Sequence, residues 1–209
     1  MTDLDEPAWL TLGRELRSIA QIGLTFCRDP FDRQRYERIQ ELAAAVIAQG
    51  SDRADPGLLD YIRHDTGYAT PKVDVRAAAF LDGRVLLVRE VSDGLWTLPG
   101  GWADVNESPA ASVVREVFEE SGFEARTVKL AAVHDFRKHN RPRHLDSIYK
   151  LLFICELTGG KAAPSIETSE VAFFACEDLP PLSTGRTTAE QIRRMFRHAA
   201  EPDLPTDFD

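Results

Sequence analysis

Cysteine is scarce in this chain: Cys27, Cys155 and Cys176 are the only three in 209 residues. An odd number at wide spacing, with no Cys-x-x-Cys pair, argues against a disulfide framework or a structural zinc site and fits a reducing compartment. Clustered positive charge is scarce too. The net charge is −9, from 25 Lys and Arg against 34 Asp and Glu, and no long basic block occurs. General binding to nucleic acid or to an anionic membrane relies on such blocks, so neither partner is expected. Long apolar runs are missing, and none approaches the ~20 residues needed to span a bilayer. The N-terminus, MTDLDEPAWL, is acidic and lacks a basic-then-apolar signal pattern. These absences lead to the expectation of a soluble, cytoplasmic protein. Hydrophobic residues nonetheless make up 43% of the chain, enough for a packed core.

Two regions of different character follow one another. In the first, Trp9, Leu12, Leu16, Ile19, Leu24 and Phe26 recur at roughly helical spacing. Asp29-Pro30 breaks the pattern, and Tyr36, Ile39, Leu42, Ala43, Val46 and Ile47 carry a second helix that stops at Gly50. Pro56 to His64 reads as a short third helix. These apolar stripes need partners, because isolated helices are marginal. The character changes near Thr70-Pro71. Val73–Leu81 reads as a strand, Asp82-Gly83 as a tight turn, and RVLLVRE as the returning strand of a hairpin. VKLAAVHDF, SIYKLLFICEL and SEVAFFACEDL are strand-like, and Thr188 to Ala199 is an amphipathic helix carrying Ile192, Met195 and Phe196. The expected organisation is a small all-helical N-terminal domain over 1–70, followed over 71–209 by a mixed α/β or α+β domain.

One segment between the strands raises a question of charge. Ser108 is a good N-cap, Pro109 suits the first helical position and Gly122 suits the left-handed C-terminal position. A helix is therefore expected from about Pro109 to Ser121. At ~100° per residue, Glu116, Glu119 and Glu120 fall within roughly a 100° arc. Ala110, Val114, Val117 and Phe118 point the other way. Like charges so close repel. Either the acidic face is simply solvated, or something positive sits on it. A hard divalent cation takes oxygen ligands of this kind, and Leu98-Pro99-Gly100-Gly101 just upstream is a loop whose backbone can approach a ligand.

Gly101, five residues, Glu107, seven residues, then Arg115-Glu116-Val117-Phe118-Glu119-Glu120-Ser121-Gly122-Phe123 resembles the Nudix box at every defined position. The resemblance implies a Nudix fold over about Lys72–Ala200, a mixed β-sheet sandwiched between helices. It implies hydrolysis of a nucleoside diphosphate linked to some group X. It also implies that Glu116, Glu119 and Glu120, helped by the Gly100 carbonyl, bind Mg²⁺ or Mn²⁺, with Arg115 and Glu107 bracing the helix. A general base completes such chemistry. In this family it is a box glutamate or one on a later loop, which leaves Glu120, Glu170 and Glu167 open, with Glu170 placed ahead of Glu167.

On the substrate side, His134–Lys150 is the one local basic concentration, holding Arg137, Lys138, Arg141, Arg143 and Lys150. It reads either as a solvated loop or as a flexible loop gripping phosphate or sugar, which Arg suits. Arg76 and Arg89 on the hairpin strands, and Tyr149, are further candidates for substrate contact. Trp96 and Trp102 flank the glycine loop as core residues or as a stacking surface for a base. The helical N-terminal region is similar to that of some bacterial Nudix enzymes acting on nucleoside diphosphate-X compounds, which implies a homodimer. ADP-ribose is the first expected substrate, followed by CDP-choline and UDP-linked compounds. The alternatives are a hydrolase of (d)NTPs or RNA ends, and a non-catalytic sensor of a nucleotide sugar.

Overall fold

The computed structural model describes residues 6–50, 57–141 and 144–209. The chain divides into two compact units, Met1–Pro71 and Lys72–Asp209. The first holds α1 (Ala8–Phe26), α2 (Pro30–Gly50) and α3 (Leu58–His64); Pro56, the expected start of α3, lies outside the described residues. Helices α1 and α2 form an antiparallel pair brought close by small residues. A Cβ on Gly13 would meet Ile47 at 2.5 Å, and one on Gly23 would meet Tyr36 at 2.3 Å. The buried positions of α1 are Leu10, Gly13, Arg17, Ala20 and Gln21. The expected apolar stripe therefore does not all go inward: Leu12, Ile19 and Phe26 remain exposed. Buried Arg17 is held by Asp65 at 2.6 Å and lies over the Tyr61 ring.

The second unit is built on a mixed seven-stranded sheet, with β1 (Lys72–Leu81), β2 (Arg84–Glu90), β3 (Trp96–Thr97), β4 (Phe123–Asp135), β5 (Ile148–Gly160), β6 (Thr168–Phe174) and β7 (Asp207–Phe208). The order is β3-β2-β1-β5-β4-β7, with β6 paired to β2. Side chains alternate across a strand, and this alternation divides the core. Ala78, Leu87, Leu152 and Ile154 face Ile192 and Met195 of α6 (Ala189–Ala200). Ala77, Ala79, Leu86 and Phe153 face Val113 and Val117 of α4 (Pro109–Ser121). Each helix thus covers one face of the sheet, which is the sandwich the sequence implied.

The expected helix caps are present on α4. Ser108 accepts a hydrogen bond from the Ala111 N–H at 3.2 Å. Gly122 closes the helix at φ 75°. Two details differ. Val113, not Phe118, packs inward beside Val117, and Phe118 is 56% exposed. The basic segment is not one long loop: β4 continues to Asp135, α5 (Phe136–His139) follows, and β5 starts at Ile148. Strand β7, beyond the expected end of the fold, pairs in parallel with β4 through Ala132 and Val133.

Candidate active site

The glycine loop seats the acidic helix against the sheet. Gly100 has φ 141°, and a Cβ there would sit 2.0 Å from the Val75 carbonyl, so no other residue fits. The loop is zipped to β1, with the Val75 N–H donating to the Gly101 carbonyl and the Ala77 N–H to that of Pro99. The Gly100 N–H in turn donates to Glu120 Oε2 at 2.9 Å. A Cβ on Gly101 would touch the Glu116 carboxylate at 3.2 Å.

The three box glutamates have graded environments rather than one shared open face. Glu120 is 5% exposed, the Glu116 side chain 12% and that of Glu119 54%. Burial pushes the Glu120 carboxyl up to about 8; Arg76 and the Gly100 N–H oppose this, and the charges of Glu116 and Glu90 add to it. Burial also raises Glu116, against the pull of Arg115. Arg115 is the hub of the helix surface: it donates to Glu107, Glu116 and Glu119 at 3.1, 2.9 and 2.8 Å.

Glu116, Glu120, Gly100 and Gly101 line a cavity of about 750 Å³. At its floor, Asp74 of β1 accepts two bonds from Arg76, at 3.0 and 2.9 Å, and one from Lys150 Nζ of β5 at 2.7 Å. All three are buried. Burial works against the charge on Asp74, but Arg76 and Lys150 outweigh it and hold its carboxyl below the usual range. Burial lowers Lys150 to about 8, with Asp74 opposing. The floor carries a net positive charge beneath the carboxylates, a setting for an anionic group bridged to a cation.

Of the residues expected at the site, Glu116, Glu120, Gly100, Arg76 and Glu167 line this cavity, whereas Glu119, Arg115, Glu170, Arg89, Arg137, Lys138 and Tyr149 do not. Glu170 sits directly opposite Arg89 across the β2–β6 ladder, and the two form an ion pair at 2.5 Å. Glu167 precedes the strand and lines the cavity. Tyr149 alternates with Ile148 and Lys150, both of which line the cavity, and so turns to the opposite face. Arg137 lies at the start of α5 and pairs with Asp135 at 2.5 Å. Lys138 shares that helix, and Arg143 lies outside the described residues. Trp102 lines the cavity, whereas Trp96 packs on Phe174 in the core.

Sequence reasoning missed Glu90, Asp93 and Arg186. A register shift between Arg89 and Glu90 re-aims the end of β2. Glu90 is 7% exposed and raised by burial, with Arg186 opposing at 3.1 Å. Arg186 also pairs with Asp93 at 3.0 Å. The only sequence signal for Glu90 was a charged residue ending an apolar strand.

Glu90, Glu116 and Glu120 bring carboxylate oxygens to one cavity, the ligand type a hard divalent cation prefers. Burial disfavours negative charge on Glu90, Glu116 and Glu120 alike, so a cation among them would be stabilised. Among the described residues no group of three or more His, Cys, Asp or Glu is drawn together tightly enough to hold a metal ion. The Arg115 ion pairs and the Gly100 N–H instead engage Glu116, Glu119 and Glu120 individually.

Comparisons with known proteins bear on the whole chain. Residues 7–61 match a family described as the UDP-X-like, N-terminal oligomerisation domain. The Bacillus subtilis (strain 168) protein YjhB, which carries the provisional name ADP-ribose pyrophosphatase, is 42% identical over 201 residues, spanning 96% of this chain and 97% of that one. A crystal structure of an ADP-ribose pyrophosphatase from Streptococcus suis 89-1591 aligns with a TM-score of 0.62 at 43% identity, covering 67% of this chain and 100% of the other. A crystal structure of a UDP-X diphosphatase aligns with a TM-score of 0.63 at 33% identity, covering 96% and 98%. Residues 70–196 match the NUDIX domain, and with these relatives the match places the chain in the Nudix hydrolase family.

Proposed function

We propose that this protein is a divalent-metal-dependent pyrophosphatase that splits a nucleoside diphosphate-X compound into a nucleoside monophosphate and phospho-X. ADP-ribose is the first substrate on this reading. The observation that carries it is the cavity itself, lined by buried Glu90 and Glu120 and half-buried Glu116 together with the buried cations Arg76 and Lys150. A diphosphate bridged to a cation satisfies both halves at once.

Glu116, Glu119 and Glu120, with the Gly100 carbonyl, would hold Mg²⁺ or Mn²⁺. The bound cation supplies neutralisation of the phosphate oxygens and a water of lowered pKa. Arg76 and Lys150, fixed by Asp74, orient the diphosphate from below. Glu120, the least exposed of the three box carboxylates and part of the cavity lining, is the first candidate to take a proton from water once a cation holds it ionised. Glu167, in the same lining, is the second candidate base. Arg115 acts at a distance, holding Glu116 and Glu119 in place.

UDP-X is a second reading of the substrate, favoured by the match of residues 7–61 to a UDP-X-like domain and by the full-length likeness to a UDP-X diphosphatase. The N-terminal match also supports a homodimer. Chromatography of ADP-ribose, CDP-choline and UDP-sugars after incubation with the protein and Mg²⁺ tests the proposal. One compound should be converted to its monophosphate and phospho-X well ahead of the others. A panel left intact with both Mg²⁺ and Mn²⁺ would overturn it.

A further inference from the structure

The cavity continues past the phosphate floor into a corner that hydrolysis leaves unused. Lys150 Nζ lies 5.8 Å from the Phe136 ring. The His144 ring sits 6.1 Å beyond Phe136, and Trp102 6.2 Å beyond His144. All four line the same cavity as Glu116 and Glu120. Lys150, tied to Arg76 through Asp74, thus abuts an aromatic corner of the same cavity.

Within that corner the rings differ in what they offer. Phe136 is buried and forms a wall, whereas Trp102 is 47% exposed. Trp102 is a fixed platform, not a loose surface ring. Its backbone bridges Asp74 on β1, and the next residue, Ala103, donates to the Val73 carbonyl at 2.9 Å. Lys72, itself paired with Asp146 at 2.8 Å, lies over the indole at 5.8 Å. The Asp146 N–H donates to His144 Nδ1 at 3.1 Å, so the neutral imidazole carries its proton on Nε2. A half-exposed indole on an anchored backbone, beside an imidazole and in the same cavity as Arg76 and Lys150, matches a flat heteroaromatic ring on a sugar phosphate.

We infer that this corner is the nucleobase subsite: the base stacks on Trp102 beside His144, and the diphosphate runs past Lys150 toward Glu120. The inference rests on the nucleoside diphosphate-X reading above and adds a direction to it, with the nucleoside at the Trp102 end and X at the opposite end. Stacking accepts any base, because every base has a π-face. Trp102 thus accounts for affinity toward the nucleoside half and not for the choice of base.

The test is equilibrium binding to the full-length protein with Mg²⁺, measured calorimetrically for AMP, CMP, UMP and GMP, each against ribose 5-phosphate. At least one nucleotide should bind roughly five- to a hundredfold more tightly than ribose 5-phosphate, the range that base–aromatic stacking contributes. Trp102→Ala should bring that nucleotide to within about twofold of ribose 5-phosphate, and Trp102→Phe should keep most of the gain. Trp102→Leu, which keeps apolar bulk without a ring, should lose the gain as the alanine variant does and serves if the alanine variant fails to fold. A wild-type protein that binds ribose 5-phosphate as well as every nucleotide would overturn the inference. So would a base-dependent gain that survives both Trp102→Ala and Trp102→Leu. Because no turnover is measured, a failure here is separate from a failure of the hydrolase assignment.

Discussion

Glu120 occupies an environment that opposes its own charge. Burial raises its carboxyl to about 8, so Glu120→Gln removes an ionisation that the fold resists and, on the proposed function, the first candidate for the general base. Turnover should fall by roughly a hundredfold or more, while the melting temperature stays level or rises; normal turnover in the variant would remove Glu120 from the chemistry. Asp74 is the opposite case, since it pairs two buried cations, Arg76 and Lys150. Asp74→Ala leaves both uncompensated and should cost about 3–5 kcal/mol, read as a shift in the urea midpoint. His134 supplies a pH dependence. Burial, with the stacked His139, lowers it from 6.5 to about 4. As pH falls from 6.5 toward 4 the unfolded chain takes up a proton that the native His134 refuses, so stability is full above 6.5 and drops by up to about 3 kcal/mol on acidification. His134→Gln should flatten that slope; an unchanged slope would reject the assignment. The box spacing singled out Glu116 and Glu120, which line the cavity, together with Glu119, which does not. The tie between Asp74 and Lys150 was not legible, because it depends on the parallel register that sets them opposite each other on β1 and β5.

At the scale of elements, α4, its Gly122 cap and the Gly100–Gly101 loop position Glu116 and Glu120. Ser108, Pro109 and Gly122 marked the helix in the sequence because capping is local chemistry, and α4 spans the expected residues. What the sequence could not show was which glutamate goes inward, since that depends on the seating of Val113 and Val117 against the sheet. It equally hid Glu90, whose direction comes from a register shift, and the cross-strand Arg89–Glu170 pair, which depends on the pairing of β2 with β6. Gly122→Ala puts a side chain at φ 75° and within 2.6 Å of the Lys161 carbonyl. It should destabilise the protein by about 1–3 kcal/mol, with some loss of activity because the strain falls two residues from Glu120. A melting temperature equal to wild type would show that α4 ends without need of the left-handed residue.

At the scale of the molecule, the chain forms two compact units that meet at Pro71 in sequence, and near that point the apolar period changes from helical to alternating. The helical unit leaves Leu12, Ile19 and Phe26 exposed at seven-residue spacing on α1. Such a stripe suits a second copy of the chain, as the match to an oligomerisation domain supports. Leu12→Asp combined with Ile19→Asp should shift the mass measured by light scattering toward the monomer; an unchanged dimer would move the interface elsewhere. On the proposed function, carboxylates around Glu120, completed by a divalent cation, cleave a nucleoside diphosphate-X compound. Chromatographic detection of AMP from ADP-ribose, for wild type and Glu120→Gln, each with Mg²⁺ and with EDTA, tests this. If ADP-ribose is inert, the preferred compound of the substrate panel replaces it. Nucleotide should be released only by the wild type with Mg²⁺. Release that persists in EDTA, or that is undiminished in Glu120→Gln, would rule the mechanism out.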